Sequence, residues 1–182
     1  MKTFLENKIN WWVVIFSSLV FAVFIALVLP WVSAYTKEAV GGLGGPDTSF
    51  FYSGSELFDF AESYGQEGRR TYVILRWTFD LVWPLVYMLF LLSFTVQLVK
   101  GLKVRWLYHL YWLPIAATAF DYLENLLATL VMLLFPVWWL WLGTLTSIAS
   151  TLKWGTLSLA FLVLTVLILM RVLKPLVSKN HK

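Results

Sequence analysis

Apolar positions run along this chain in four long blocks, roughly 11–34, 71–99, 106–135 and 142–173, separated by shorter polar segments. About 20 apolar residues at 1.5 Å rise span a hydrocarbon core of about 30 Å, so each block is long enough to cross a bilayer as a helix. The pattern predicts an all-α protein, an integral membrane four-helix bundle forming one domain over residues 1–182.

Polar residues interrupt the blocks unequally. The first carries no ionisable group, and Ser17 and Ser18 are nearly its whole polarity, so it reads as a wall or lipid-facing helix. Pro30 lacks an amide donor and can kink its last turn, while Trp11, Trp12 and Trp31 sit where interfacial indoles anchor a helix. The loop over 35–70 opens with Gly41-Gly42-Leu43-Gly44-Gly45-Pro46, and Ser53-Gly54-Ser55-Glu56 then offers a capping box. A short amphipathic helix follows, with Leu57, Phe58, Phe60, Ala61 and Tyr64 near one face and Gly65 as its stop. It serves either as an interfacial packing element or as a lid over the bundle.

The start of the chain loosely resembles a cleavable signal ending at Val32-Ser33-Ala34. Signal cores are about 7 to 15 residues long, and Trp11 to Leu29 is longer, so the segment is read as a retained span. Hydrophobic residues make up 60% of the chain, too many for one soluble core of this size, which supports the membrane assignment. There is no cysteine, which removes disulfides, thiolate metal sites and thiol catalysis.

Charge adds orientation. Lys2 and Lys8 precede the first span, Lys100, Lys103 and Arg105 fill the turn after the second, and Arg171, Lys174, Lys179 and Lys182 follow the fourth. The positive-inside rule places these segments in the cytoplasm, with both termini inside and the acidic first loop and uncharged 136–142 turn outside. The same rule accounts for the basic residues without a nucleic-acid partner. Arg69 and Arg70, at the outer interface, suit either a lipid phosphate or the acidic residues of their own loop. Gly143, Ser147, Thr151 and Gly155 recur every four residues, a close-packing face for a neighbouring helix or a second protomer in a homo-oligomer.

The remaining ionisable residues of the spans share a depth. Counting from the outer ends at 1.5 Å per residue puts Asp80 about 14 Å in, Asp121 and Glu124 about 17 to 21 Å and Lys153 about 17 Å, with Arg76 one turn above Asp80. Arg76, Asp80, Trp83 and Tyr87 form one stripe; Thr118, Asp121, Glu124 and Asn125 form a second; Thr146, Ser150 and Lys153 a third. Pro84 removes the helical partner of the Asp80 carbonyl and exposes another acceptor there. Three carboxylates against two cations leave a net charge of about minus one, which a bound proton or a recruited cation would balance.

Asp80, Asp121 and Glu124 are therefore the candidate acid/base or cation-binding groups. Arg76 and Lys153 set their charge, and Asn125, Trp83 and Tyr87 are candidate ligand contacts. Buried ion pairs also fix helix packing, so a purely structural role explains the same residues. No cofactor motif or metal-ligand spacing is present, and Lys153 would compete with a hard cation for the carboxylates. His109 and His181 read as interface residues.

Gly45-Pro46-Asp47-Thr48 with Tyr52-Ser53, then Tyr64-Gly65, Gly68-Arg69 and Tyr72, then Asp80, Pro84 and Tyr87 together resemble a group of small uncharacterised four-span prokaryotic membrane proteins. That resemblance implies the layout and no activity. The layout is also similar to the sterol isomerase and sigma-2 receptor group, in which carboxylates line a membrane pocket. The expected function is a membrane-embedded binding or acid/base pocket for a small amphiphile or lipid-like molecule. A proton- or ion-coupled transporter and an accessory membrane subunit are the alternatives.

Overall fold

A computed structural model describes residues 2–39, 45–46, 51–100, 102 and 104–179. The expectations for Gly41 to Gly44, Asp47, Thr48, Lys103, His181 and Lys182 lie outside the described residues. Every extended element is helical: α1 (Lys2–Lys8), α2 (Trp11–Val23), a π-helical turn (Phe24–Val28), α3 (Leu29–Ala39), α4 (Gly54–Ser63), α5 (Gly65–Arg76), α6 (Phe79–Val99), a 3-10 segment (Arg105–Tyr111), α7 (Trp112–Leu134) and α8 (Leu140–Lys179). Among the described residues, four continuous stretches are long and apolar enough to cross a membrane: Trp11–Glu38, Gly65–Val99, Trp106–Leu134 and Leu140–Leu173.

Three of these are not regular α-helices, the third because it opens in the 3-10 segment. In the first, the amide of Leu29 bonds to the carbonyl of Phe24, five residues back, and this wide turn lies just ahead of Pro30. In the second, helix geometry breaks at Trp77 and Thr78, immediately after Arg76. The second stretch also begins at Gly65, six residues earlier than its hydropathy suggests, because Gly68, Tyr72 and Arg76 form a buried stripe at four-residue spacing that packs the polar turn inward.

The first span packs loosely: Val14 and Ser17 are the buried residues of α2, and the Ser17 hydroxyl meets that of Ser93 at 2.9 Å. The helices build two apolar clusters, the first drawing on α6, α7 and α8 and the second on α4, α5, α7 and α8. One, at the end of the bundle that carries the termini, includes Tyr87, Leu91, Val96, Tyr111, Ala117 and Leu164. The other, at the end that carries the first loop, includes Leu57, Phe58, Ala61, Tyr72, Ala128 and Leu142. On α7 and α8 the buried charged residues fall between these clusters in sequence.

α4 belongs to the loop-end cluster. Its capping box is complete: the Ser53 hydroxyl accepts from the Glu56 amide at 3.2 Å and the Glu56 carboxylate accepts from the Ser53 amide at 2.6 Å. These bonds hold the Glu56 carboxyl below its usual pKa of 4.5. Gly65, at φ 61°, ends the following turn in a left-handed conformation that glycine adopts without strain. The helix docks through a backbone crossing in which a Cβ on Gly54 would lie 2.6 Å from the Thr144 nitrogen, and one on Gly143 would lie 2.5 Å from the Gly54 oxygen. Gly143 and Ser147 are therefore buried against the chain's own loop, whereas Thr151 and Gly155 remain exposed.

Two predictions follow from this packing. Gly143→Ala should lower stability in detergent by about 1 to 3 kcal/mol through overpacking. Gly155→Ala, with open space around it, should raise stability by up to about 1 kcal/mol through helix propensity; thermal unfolding of both variants checks the contrast. Because the folded pKa of Glu56 is depressed, its capping contribution is present above the unfolded pKa and is lost as pH falls through the folded value. The unfolding temperature of the wild type should thus approach that of Glu56→Gln as pH drops from about 6 to about 3; parallel profiles would refute the ionised cap.

Candidate functional site

The polar site starts at the helix defect that Pro84 makes. Pro84 has no amide hydrogen to give the Asp80 carbonyl, and the side-chain amide of Asn125 on α7 donates to that carbonyl at 3.2 Å. Neighbouring carbonyls are used in the same way, with the Thr118 hydroxyl donating to Pro84 at 3.1 Å and the Tyr122 hydroxyl to Leu81 at 2.8 Å. α6 and α7 are thus fastened along one seam by side chains of α7.

Arg76 ends α5 beside that seam and is buried. Its guanidinium donates to the Asn125 side-chain oxygen at 2.8 Å, to Asp80 Oδ2 at 3.1 Å and to the Tyr72 hydroxyl. One asparagine therefore joins the charged residue of α5 to the freed carbonyl of α6. Asp80 is the more open partner of this pair, with 18% of its side chain exposed against 3% for Arg76.

Lys153 on α8 organises the other half. Its ammonium lies 2.5 Å from Glu124 Oε2 and 3.9 Å from Asp121 Oδ1. The free oxygen of each carboxylate accepts from a phenol: Tyr52 donates to Glu124 Oε1 at 3.1 Å and Tyr87 to Asp121 Oδ2 at 2.9 Å. Glu124 is wholly buried, and the Ser150 hydroxyl, also fully buried one turn from Lys153, has no hydrogen-bond partner among the described residues. Such an orphan is uncommon, because a buried polar atom without a partner is costly.

The structure brings Arg76, Asp80, Asn125, Asp121, Glu124, Lys153 and Tyr87 together. Trp83 does not join them. It packs in an aromatic group with Phe21 and Phe24 of the first span, at ring separations of 5.7 and 5.9 Å, and touches Tyr87 edge-on. Among the described residues no three His, Cys, Asp or Glu side chains converge as a metal site. His109 is exposed in the 3-10 segment.

Two participants lie outside the stripes read from sequence. Tyr72 was legible in principle, one turn before Arg76 on the same face. Tyr52 was not, because it comes from the loop, 72 residues from Glu124 in sequence. It is held there by the Ser147 hydroxyl, which donates to the Tyr52 carbonyl, and by the capped start of α4 that follows it. No family model, curated protein or solved structure matches the chain, so the site is interpreted from its geometry.

The Pro84 defect yields a double-mutant test. Asn125→Ala should cost about 2 to 3 kcal/mol by orphaning the Asp80 carbonyl and one Arg76 donor. In a Pro84→Ala background the restored amide takes that carbonyl, so the loss should shrink by about 1 kcal/mol. Additive losses in chemical unfolding would show that Asn125 does not replace the missing helical bond.

Proposed function

We propose that Asp121, Glu124 and Lys153 form a membrane-embedded acid/base site for a small amphiphile, in a multi-pass protein of a prokaryotic cell membrane with both termini cytoplasmic. The observation that carries this reading is the ammonium flanked by two carboxylates, each also accepting a phenolic hydrogen bond, between two apolar clusters. Taken as ionised, that trio bears one negative charge in excess. In hydrocarbon, a charge costs roughly 2.5 to 3.5 kcal/mol even on insertion scales, so the excess favours uptake of a proton or of a cationic head group.

A proton shared by the two carboxylates leaves the trio neutral. Its transfer to a basic atom of the amphiphile leaves both carboxylates ionised and the bound ligand cationic, so charge is conserved within the site. Lys153 stabilises the resulting anion, and Tyr52 and Tyr87 hold the two acceptor oxygens in place. The unpartnered Ser150 hydroxyl supplies one more contact for a polar head. Access is from the outer face, where the Tyr52 segment covers Glu124 and is attached through Ser147 and the Gly54–Gly143 crossing. Asp80 and Arg76 form the adjoining pair that balances itself.

A second reading, proton-coupled transport, draws on the break at Trp77 and Thr78. Transport sites are commonly built where membrane helices are discontinuous, and here the second span is interrupted next to Arg76 while the first carries a π-helical turn.

Native mass spectrometry of the detergent-purified protein, with lipidomics of what it carries, tests the leading reading. The wild type should retain a defined amphiphile, and Asp121→Asn or Glu124→Gln should reduce its occupancy about tenfold, equivalent to about 1.4 kcal/mol. The unfolding temperature should move less than it does for Asn125→Ala. Equal retention of bulk phospholipid alone by wild type and variants overturns the pocket, and pH-driven flux in vesicles that is lost in Asp121→Asn selects transport instead.

A further inference from the structure

Away from the carboxylates, at the loop end of the bundle, α5 and the end of α7 border a cleft of about 540 Å³. Its two parts differ in chemistry. Glu67, Arg69 and Arg70 form its charged part, the mouth, while Ile74, Leu133 and Phe135 belong to its apolar part. Arg69 is already positioned, donating to the Ala61 carbonyl at 2.7 Å with its guanidinium 4.4 Å from the Phe135 ring centre. Arg70 and Glu67 are exposed, and among the described residues neither forms an ion pair.

We propose that this cleft binds a singly anionic phospholipid, phosphodiester at the arginines and acyl chain along the Ile74–Leu133 groove. The argument is charge and polarity complementarity. Two guanidiniums and one carboxylate give the mouth a formal charge of plus one, which one phosphodiester neutralises; a zwitterionic head group leaves it unbalanced. Ile74 follows Arg70 by one turn on α5, and the exposed Ile74 and Leu133 offer an acyl chain apolar surface in the same cleft. The second cleft, at the opposite end near Lys100 and Arg171, lacks this readiness. There Arg171 donates to the Leu98 and Lys100 carbonyls and Lys100 to that of Glu6, so its cations are committed to capping.

This lipid site is independent of the acid/base reading, and either can fail alone. The test is native mass spectrometry of the full-length protein released from nanodiscs of equal phosphatidylglycerol and phosphatidylcholine. One phosphatidylglycerol should be retained in preference to phosphatidylcholine by roughly fivefold, the scale of a partly exposed charge-assisted contact. Arg70→Ala, an exposed change that leaves packing intact, should bring the ratio near unity. Lys37→Ala removes an exposed charge from the same end of the bundle without lining the cleft, and should leave the ratio unchanged. Equal retention of both lipids, or equal losses in the Arg70 and Lys37 variants, overturns the site. Displacement of the lipid by millimolar glycerol phosphate overturns the lipid assignment and makes the mouth a free-phosphate site.

Discussion

The side chain of Asn125 joins the buried Arg76 of α5 to the α6 backbone at the Pro84 defect, and the Arg76–Asp80 half of the polar layer is arranged around it. Pro84 has no amide hydrogen to give the Asp80 carbonyl. Asn125 supplies the missing donor with its amide and, with its oxygen, receives Arg76. A helix defect, a buried guanidinium and the α6–α7 seam are thereby satisfied by one side chain that can donate and accept at once. Leucine of similar size would fill the space but could neither donate to the carbonyl nor accept from the guanidinium.

Around that seam the charges sort into a balanced pair and an unbalanced trio. Arg76 and Asp80 compensate each other, and Asp80 retains some exposure. Lys153 has two carboxylates to serve and lies much nearer Glu124 than Asp121. The two phenols reach the site from opposite apolar clusters, Tyr52 from the loop end and Tyr87 from the end of the termini. Polar chemistry is thus enclosed by packing on both sides, which strengthens each interaction and sharpens the cost of an unmatched charge.

The cover is built by backbone approach more than by side-chain bulk. Two glycines meeting at the start of α4 and α8 let the loop helix sit against the bundle, and this uses half of the small-residue stripe on α8. The remaining half, Thr151 and Gly155, is still exposed.

Much of this was legible in the residues themselves. Hydrophobic run length determined four helical stretches long and apolar enough to cross a membrane, because the length of an apolar run does not depend on its neighbours. Local hydrogen bonding determined the capped helix at Gly54–Ser63, since Ser53 and Glu56 satisfy each other within one turn. Proline chemistry pointed to a free carbonyl at Asp80, and helical periodicity put Asp121, Glu124 and Asn125 on one face. The tertiary structure alone decided which partner each group takes: Asn125 for the carbonyl, Lys153 close to Glu124, and Tyr52 from a distant loop. It also decided that helix geometry breaks at Trp77 and Thr78, next to the buried Arg76, instead of continuing through the span. Spacing along a helix specifies a face and a depth, but the rotation of one helix against another and the path of a loop depend on packing across the whole bundle.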